Sequence, residues 1–302
     1  MVEQRFCKAK VPSSNLGGGS NFKIRQEVYS WLCFCYNERM QNEEKITKNG
    51  VLHPITQFTR EVTGIFKDMG FVVATGPELE TEYYNFDALN IPADHTSRDM
   101  QDTFWIKEKT ANSTDSAITM DIKKSNRRVL RTQTSAVQVR FLEKNKNNLP
   151  CAIIVPGKVF RNEATDAVHE VQFSQLEALY VDKNASMGHL KGTIEHFLKK
   201  LYGDDVEIRL RPSFFPFVEP GVEVDMKFKD KWLEMGGAGM VHPNVFRAAG
   251  IDPDIWRGFA FGFGIDRLVM RRHGIADIRM LYGGDLRFLE QFRDRSSEST
   301  IQ

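Results

Sequence analysis

The sequence predicts an α+β fold in which helices flank an antiparallel β-sheet. Strand-like segments outnumber the helices that could connect parallel strands, and this excess favours antiparallel pairing. Two strand-like segments, Ile153–Glu163 and Glu170–Val181, are separated only by residues 164–169, as in a hairpin. Hydrophobic residues make up 41% of the 302 residues, which is enough for a large core.

The elements follow one another in a clear order. An N-terminal extension, 1–50, contains the glycine-rich stretch 17–20 and then residues with helical spacing, 22–46. Residues 51–295 are expected to form the main domain and 296–302 a tail, with a polar surface hairpin or loop at 106–128. Helices are predicted from Pro54 to Gly70, at Lys191–Tyr202 and at Ile265–His273, and further strands at Phe71–Ala74, Val206–Arg211, Val222–Phe228, Trp232–Gly236 and Phe259–Gly264.

Composition excludes several classes of protein. The net charge of +1 lacks the basic excess of a stand-alone nucleic-acid binder, although residues 123–146 are rich in basic side chains, a pattern also typical of a solvated face. The four cysteines fit neither a zinc site nor a disulfide framework, and free thiols indicate a reducing cytoplasm. No apolar run is long enough to span a membrane, and residues 1–30 lack the apolar stretch of a signal peptide.

The predicted hairpin gathers polar groups on one face. Residues two apart on a strand point to the same side, so Arg161 accompanies Glu163, while Phe173, Gln175 and Glu177 share a face of the returning strand. Burial of such groups without partners is costly. The cluster therefore indicates a polar site, with a network of ion pairs over a solvated sheet face as the alternative.

A second segment combines two glycines with an arginine. Gly262 and Gly264 permit close approach of the backbone, and Arg267 in the first turn of the next helix suits a phosphate. A dinucleotide-binding loop is rejected, because Arg267 replaces the third glycine and no acidic residue follows in a βαβ frame. Ordinary packing at the end of a glycine-rich strand is the remaining alternative.

A third segment, Arg211–Pro220, is stiffened by its three prolines. Phe215 and Phe217 are placed to line an apolar slot, with Glu219 beside them. A rigid loop within the core would have the same composition.

Taken together, these segments resemble the class II aminoacyl-tRNA synthetases, and within them the alpha subunits of phenylalanyl-tRNA synthetases. The resemblance runs from about His53 to Phe292. Phe160–Glu163 resembles motif 2, Gly262–Arg267 resembles motif 3, and the helix after His53 with Thr75–Glu78 resembles motif 1 of the subunit interface. Segments that match the alpha subunit specifically are Asn85–Leu89, Asp102–Trp105, Leu130–Ser135 and Gly236–Pro243.

The resemblance implies that residues 51–295 form a catalytic domain that activates L-phenylalanine with ATP and transfers it to tRNA(Phe). In adenylate formation the amino acid's carboxylate attacks the α-phosphorus in line, so the protein mainly positions two anions and neutralises charge. The implied cofactor is Mg²⁺, with Glu219 as its ligand.

The resemblance also implies which residues bind ATP. Arg161 would hold the α-phosphate and the bound carboxylate, and Arg267 would lie at the outer phosphates and over the adenine. Phe173 would stack on the other face of the adenine, Glu163 would contact its amino group, and His169 would reach the phosphates.

A second implied set binds the amino acid. Gln175 and Glu177 would hold the ammonium group, with Ser135 nearby. The remaining members would surround the side chain and close the pocket, with Ala260 at the floor: Trp105, Gln133, Phe215, Phe217, Val218 and Ala260. Gln133 stands where many relatives carry His, and Asp266 stands where Glu is common.

The ends of the chain shape the expected partners. Residues 1–50 are too short for the helical arm that relatives place against tRNA, at ~1.5 Å per residue, and the sequence stops soon after Phe292 without an anticodon-binding domain. We therefore expect a beta subunit in an α2β2 heterotetramer. That partner would also edit errors, because an apolar slot rejects one added hydroxyl by only about 10²-fold.

Two alternatives remain. A phosphoseryl-type ligase on this scaffold would need cationic or hydroxyl donors in place of Phe215, Phe217 and Ala260. A catalytically inactive paralogue with a binding role would not need the intact set Arg161, Glu163, Glu219 and Arg267.

Overall fold

The computed structural model describes residues 51–107, 127–228 and 231–293, with the side chain of Phe228 excepted. The chain divides into two compact units, Met1–Val51 and Leu52–Gln302. The predictions for the extension, the tail and most of the polar loop at 106–128 lie outside the described residues. Among the described residues, no helix is long and apolar enough to cross a membrane.

A seven-stranded sheet forms the centre of the second unit, which confirms the predicted α+β class. The strands are β1 (Val72–Val73), β4 (Cys151–Phe160), β5 (Gln172–Asp182), β6 (Ile208–Pro212), β7 (Val218–Phe228), β8 (Lys231–Val241) and β9 (Arg257–Gly264), and a separate antiparallel pair comprises β2 (Leu79–Thr81) and β3 (Arg128–Leu130). The spatial order in the seven-stranded sheet is β1-β4-β5-β9-β8-β7-β6. Neighbouring strands are antiparallel, except that β1 runs parallel to β4.

The hairpin of β4 and β5 is confirmed, with Ile153 opposite Leu179. Both strands are shifted from the predicted bounds: β4 ends at Phe160 and not at Glu163, and β5 begins at Gln172 and not at Glu170. Arg161 and Glu163 therefore lie in the connection after β4 rather than on a strand. The backbone N–H of Arg161 still donates to the carbonyl of Val171 (3.0 Å), which keeps the start of the connection beside β5.

Helices cover the sheet and connect its strands. The first begins at Pro54 as predicted; the His53 side chain accepts from the N–H of Ile55 (3.2 Å), and Gly70 follows the helix with a φ of 85°. The helix Ile265–His273 has its predicted bounds. The α-helices are α1 (Pro54–Asp68), α2 (Glu82–Asn85), α3 (Ala136–Asn145), α4 (Met187–Tyr202), α5 (Pro243–Ala248), α6 (Ile265–His273), α7 (Arg279–Tyr282) and α8 (Leu286–Leu289).

Strand β9 separates two apolar clusters. Its phenylalanines, Phe259, Phe261 and Phe263, pack with buried residues of α1, α4 and α6. Its alternate residues are small, and among them Ala260 belongs to a second cluster with Val155, Leu179 and residues of α3 and α5. The period of two thus directs large rings towards one layer of helices and leaves room on the other face.

The basic run at 123–146 serves two purposes in its described part. Arg131 is 4% exposed and donates Nε to the Lys158 carbonyl (2.7 Å). Arg140 on α3 forms two hydrogen bonds with the fully buried carboxylate of Glu80. These two arginines hold segments together, whereas the other four described basic side chains are exposed as on a solvated face: Arg127, Arg128, Lys144 and Lys146.

Candidate active site

A cavity of about 670 Å³ opens over the small-residue face of β9. This volume lies within the usual range for small-molecule sites. The three segments singled out from the sequence all reach its wall. The predicted residues that line it are Gln133, Ser135, Arg161, Glu163, His169, Phe173, Gln175, Glu177, Phe215, Phe217, Val218, Ala260 and Arg267.

Arg161 lies over the ring of Phe173, at one end of the cavity. Its guanidinium carbon is 5.1 Å from the ring centroid, and its Nε donates to the Thr132 carbonyl (3.3 Å). The carboxylate of Glu163 is 3.8 Å from its NH1. Burial lowers the pKa of Arg161, Glu163 opposes this shift and Arg267 adds to it. A cation whose ion pair is long, with Asp102 as a further acidic neighbour, is still suited to receive an anion.

The connection between β4 and β5 carries His169 on an ordered turn. Asp166 accepts from the backbone N–H of Val168 (2.7 Å) and of His169 (2.8 Å), and its other oxygen lies 2.9 Å from Nδ1 of His169. These hydrogen bonds, with the imidazole first, lower the pKa of Asp166 to about 2. The carboxylate therefore stays ionised and fixes the orientation of the exposed imidazole.

Arg267 projects from the first turn of α6, where the N-terminus of the helix also favours anions. Its NH1 is 3.8 Å from the carboxylate of Glu234 on β8, and both side chains are about half exposed to the cavity. The cavity end that contains Arg161, His169 and Arg267 thus offers two guanidinium groups whose ion pairs are long, at 3.8 Å, and exposed to the cavity.

The opposite end of the cavity contains a buried carboxylate. Glu177 on β5 is 3% exposed and accepts from Nε2 of Gln138 (2.6 Å). Nε2 of Gln175 is 3.4 Å from its second oxygen. Burial raises the pKa of Glu177 to about 8, although hydrogen bonds from Ser135 and Gln138 oppose the shift. No basic side chain is paired with it among the described residues, so a cationic ligand would complete it.

Glycines create the space around these groups. Gly262 lies directly opposite Glu177, and a Cβ there would be 2.8 Å from Nε2 of Gln175 and 2.9 Å from a carboxylate oxygen of Glu177. A Cβ on Gly237 would be 2.8 Å from the ring of Phe215. Both positions therefore need the smallest residue.

An apolar slot adjoins the buried carboxylate. The rings of Phe215 and Phe217 are stacked, with centroids 6.1 Å apart and planes 29° apart. Val218 and Ala260 are each 3% exposed, and Ala260 lies at the floor of the slot on β9. The two aromatic rings thus limit the width of the slot, and the small residue Ala260 leaves room at its floor.

Comparison with known proteins agrees with this arrangement. Residues 36–292 match the family described as tRNA synthetases class II core domain (F). A phenylalanine–tRNA ligase alpha subunit from Bacillus pumilus is 49% identical over 258 residues, covering 82% of this chain and 70% of that protein. One from Synechocystis is 49% identical over 243 residues, covering 80% and 67%. The chain belongs to the phenylalanine–tRNA ligase alpha-subunit family.

The fold is shared more widely than this family. Pyrrolysyl-tRNA synthetase from Desulfitobacterium hafniense aligns with a TM-score of 0.58 at 16% identity, over 89% of this chain and 86% of that one. At this identity the likeness concerns the fold alone. It agrees with the seven-stranded sheet and its flanking helices.

Two residues that the family resemblance assigned to the site lie away from the cavity wall. Trp105 stacks on Phe86 (6.0 Å between centroids), its indole N–H donates to the Arg98 carbonyl (3.2 Å), and the guanidinium of Arg127 covers it at 3.8 Å. Trp105 thus packs between these neighbours, and its role in closing the pocket stays a prediction.

Glu219 is exposed and lines a second cavity of about 400 Å³, with Met240, Trp256 and Arg257 among its neighbours. Its neighbour Val218 lines the first cavity, and the pairing of β7 with β8 is irregular between Val218 and Gly221. The Mg²⁺ ligand predicted from the family pattern is therefore separated from the predicted ATP residues, and its metal role stays a prediction.

Several cavity residues were not predicted. The connection after α2 contributes His95, Ser97 and Asp102. The connection between β6 and β7 contributes Phe214, and β8 contributes Glu234. Asp102 and Glu234 stand in or beside segments typical of the family, which was the available signal. Phe214 is 76% exposed beside the two slot phenylalanines, but sequence alone does not separate an exposed ring from a buried one.

Proposed function

We propose that this chain activates L-phenylalanine with ATP to phenylalanyl-adenylate and transfers phenylalanine to tRNA(Phe). One observation carries the proposal. A cavity end with two arginines in long ion pairs, Arg161 and Arg267, adjoins a slot with aromatic walls and a buried carboxylate, Glu177, that has no basic partner among the described residues. These ends match a nucleoside triphosphate and an amino acid with an apolar side chain.

The amino acid would bind with its ammonium group at Glu177 and Gln175 and its phenyl ring between Phe215 and the floor residue Ala260. This orientation directs its carboxylate towards Arg161. An incoming ammonium group would favour the ionised form of Glu177, because an opposite charge lowers the pKa of a buried carboxylate.

ATP would lie with its adenine on Phe173 and its phosphates near Arg267 and His169, with Glu163 at the adenine amino group. The carboxylate oxygen of phenylalanine then attacks the α-phosphorus, the bond to the bridging oxygen breaks and pyrophosphate leaves. Arg161 stabilises the charge that develops on the α-phosphate oxygens, and the fixed geometry supplies the orientation.

Mg²⁺ is the implied cofactor. No group of three His, Cys, Asp or Glu side chains forms a ready metal site among the described residues. Mg²⁺ in nucleotide sites needs only one or two carboxylates together with phosphates and water. Glu234, half exposed beside Arg267, fits that role at the phosphates, and the ion would there neutralise phosphate charge. Glu219, the ligand that the family resemblance implies, lines the second cavity, and its metal role stays a prediction.

The partners follow from the same proposal. The ribose hydroxyl at the end of tRNA(Phe) would attack the adenylate carbonyl and release AMP. A beta subunit in an α2β2 heterotetramer would supply editing and further tRNA contacts, because the slot itself discriminates weakly against one added hydroxyl. A cytoplasmic location rests on the cysteine usage alone.

The phosphoseryl-type alternative is less well supported. The side-chain slot contains Phe215, Phe217, Val218 and Ala260, and the part of the chain that the structure describes adds no cationic group there that could receive a phosphate. An inactive paralogue would not require the glycines that make room for Gln175 and Glu177.

The decisive measurement is phenylalanine-dependent ATP–pyrophosphate exchange by the chain, alone and with a beta subunit. We expect exchange with phenylalanine, and Arg267→Ala should lower it by about 10³-fold or more. Arg287→Ala is the matched control, since Arg287 is 91% exposed and pairs only with Asp285, and it should leave the rate unchanged. A folded, ATP-binding protein without exchange would contradict the proposal and favour the inactive paralogue, while exchange with phosphoserine instead would favour the other ligase.

A further inference from the structure

Asp266 is a buried carboxylate at the first turn of α6, next to Arg267. It is 2% exposed, and its Oδ2 accepts from the backbone N–H of Ser174 on β5 (2.6 Å). Its Oδ1 accepts from the hydroxyl of Tyr282 at the end of α7. Burial raises the pKa of both the Asp266 carboxyl and the Tyr282 hydroxyl. Each oxygen of the carboxylate thus has a hydrogen-bond partner inside the protein, at the border of the cavity.

The position of this carboxylate relates it to the predicted nucleotide site. Ser174 directly follows Phe173, and Asp266 directly precedes Arg267. The hydrogen bond from Ser174 to Asp266 therefore joins the two backbone positions that carry the two predicted faces of the adenine slot. A change in this bond moves Phe173 relative to Arg267, because each lies one residue from it.

The segment Ile278–Tyr282 supports the same region from outside. The N–H of Ile278 donates to the carbonyl of Ala167 (2.9 Å), in the connection that carries His169. The carbonyl of Leu281 is 2.7 Å from Nε2 of His53, at the start of α1. One short segment thus contacts the connection between β4 and β5, and through Asp266 both β5 and α6. These are the three elements that supply the predicted ATP residues.

We propose that Asp266 and Tyr282 are positioning residues that set the width of the nucleotide slot between Phe173 and Arg267. They act through the backbone of β5 and the first turn of α6 and not by touching ATP. The inference rests on the proposed function, because it concerns the nucleotide half of that site. It separates this half from the amino-acid slot, where Gln138 donates to Glu177 (2.6 Å) and the backbone N–H of Thr134 donates to Gln175 (3.3 Å).

Tyr282→Phe is the test, since it removes one hydroxyl and preserves the ring. Tyr202→Phe is the matched control, because the hydroxyl of Tyr202 is also largely buried and donates to α6, at the Leu268 carbonyl (3.2 Å), but does not touch Asp266. We expect Tyr282→Phe to raise the dissociation constant and the KM of ATP by about three- to tenfold, the effect expected when one hydrogen bond of ordinary strength is lost. The KM of phenylalanine should change less than twofold.

Asp266→Asn should weaken the binding of ATP more than Tyr282→Phe does. Asp266→Glu should retain most of the affinity for ATP, because it keeps a carboxylate at this position. In Tyr202→Phe both substrates should bind as in the wild type, while the loss of thermal stability should be similar to that of Tyr282→Phe. Equal effects of Tyr282→Phe on ATP and phenylalanine, or equal effects of the two tyrosine variants on ATP, would overturn the positioning role.

Wild-type measurements separate this outcome from failure of the proposed function. Exchange by the wild-type protein decides the function, and the ratio of ATP dissociation constants between variant and wild type, measured by calorimetry, decides the positioning. If the folded wild-type protein binds ATP but gives no exchange, the proposed function is contradicted. The ratio of ATP dissociation constants then still tests the positioning role. A wild-type protein that binds no ATP overturns both.

Discussion

The two faces of β9 differ in what they tolerate. On one face Phe259, Phe261 and Phe263 are each 1% exposed and pack against helices. On the other face Ala260, Gly262 and Gly264 border the cavity, where even one added carbon at Gly262 meets the polar groups of β5. The strand thus supplies stability through one set of residues and binding geometry through the alternate set.

This difference teaches that the two functions can be perturbed separately. Large rings on the helix face contribute buried apolar area. The small residues on the other face leave open the space that ligands and polar side chains need. Substitutions that remove atoms should therefore harm the first face, and substitutions that add atoms should harm the second.

The largest effect is expected on the helix face. Phe259→Ala removes a ring that stacks on Tyr180, with centroids 5.1 Å apart, and leaves a cavity in the core. We expect a loss of about 3–5 kcal/mol in the free energy of unfolding, the usual cost of deleting a buried phenyl ring. Denaturant unfolding measures it, and the KM of phenylalanine for the folded fraction should not change. A stability within about 1 kcal/mol of the wild type would contradict the assignment.

The next effect concerns Glu177, on the cavity face opposite Gly262. Its pKa is raised from 4.5 to about 8 by burial, so in this window the folded protein binds one proton more than the unfolded chain. The free energy of unfolding then falls as pH rises, by about 1.4 kcal/mol per pH unit. The contribution is fully present below the unfolded pKa and is lost by about pH 8.

Glu177→Gln isolates this contribution, because it preserves the volume and removes the titration. Unfolding experiments at several pH values between about 5 and 8 should give a steeper decline for the wild type than for the variant. Parallel declines would show that Glu177 is already ionised at low pH. A saturating concentration of phenylalanine should flatten the wild-type decline, since its ammonium group favours the carboxylate.

A smaller effect is expected from one added methyl group. Gly262→Ala should displace the ends of Gln175 and Glu177 and raise the KM of phenylalanine about 10- to 100-fold, because hydrogen bonds to a charged group are lost. Gly264→Ala, on the same face, is the control, since its Cβ meets only Arg267 Cβ at an ordinary 3.8 Å. Steady-state exchange kinetics measure both, and equal KM values would contradict the role of Gly262.

Local pattern predicted much of this arrangement. The shared face of Phe173, Gln175 and Glu177 followed from the period of two, and α6 has its predicted bounds. Alternation along a strand is a local property, so it can be read without the rest of the fold.

Long-range packing could not be predicted in this way. The surroundings of Trp105 depend on Phe86 and Arg127, and the partners of Asp266 come from Ser174 and Tyr282. Such contacts depend on how elements pack after they form, because one side chain has many potential partners of the same chemistry. The sequence therefore predicted which residue types the site uses better than which of them touch one another.

The smallest effect should appear at the floor of the slot. Ala260→Gly removes one methyl group from a residue that is 3% exposed, and it should admit phenylalanines with a small para substituent. We expect their kcat/KM in exchange to rise by about tenfold, since about one carbon of room in an apolar pocket is worth about 1–3 kcal/mol. Ala178→Gly is the matched control, because Ala178 is buried on the neighbouring strand β5 in the helix-side cluster. Both variants should lose similar stability, but only Ala260→Gly should change substrate preference. If both or neither accept the para-substituted substrates, the floor of the slot is formed by another residue, and the two faces of β9 are not separable in the way proposed.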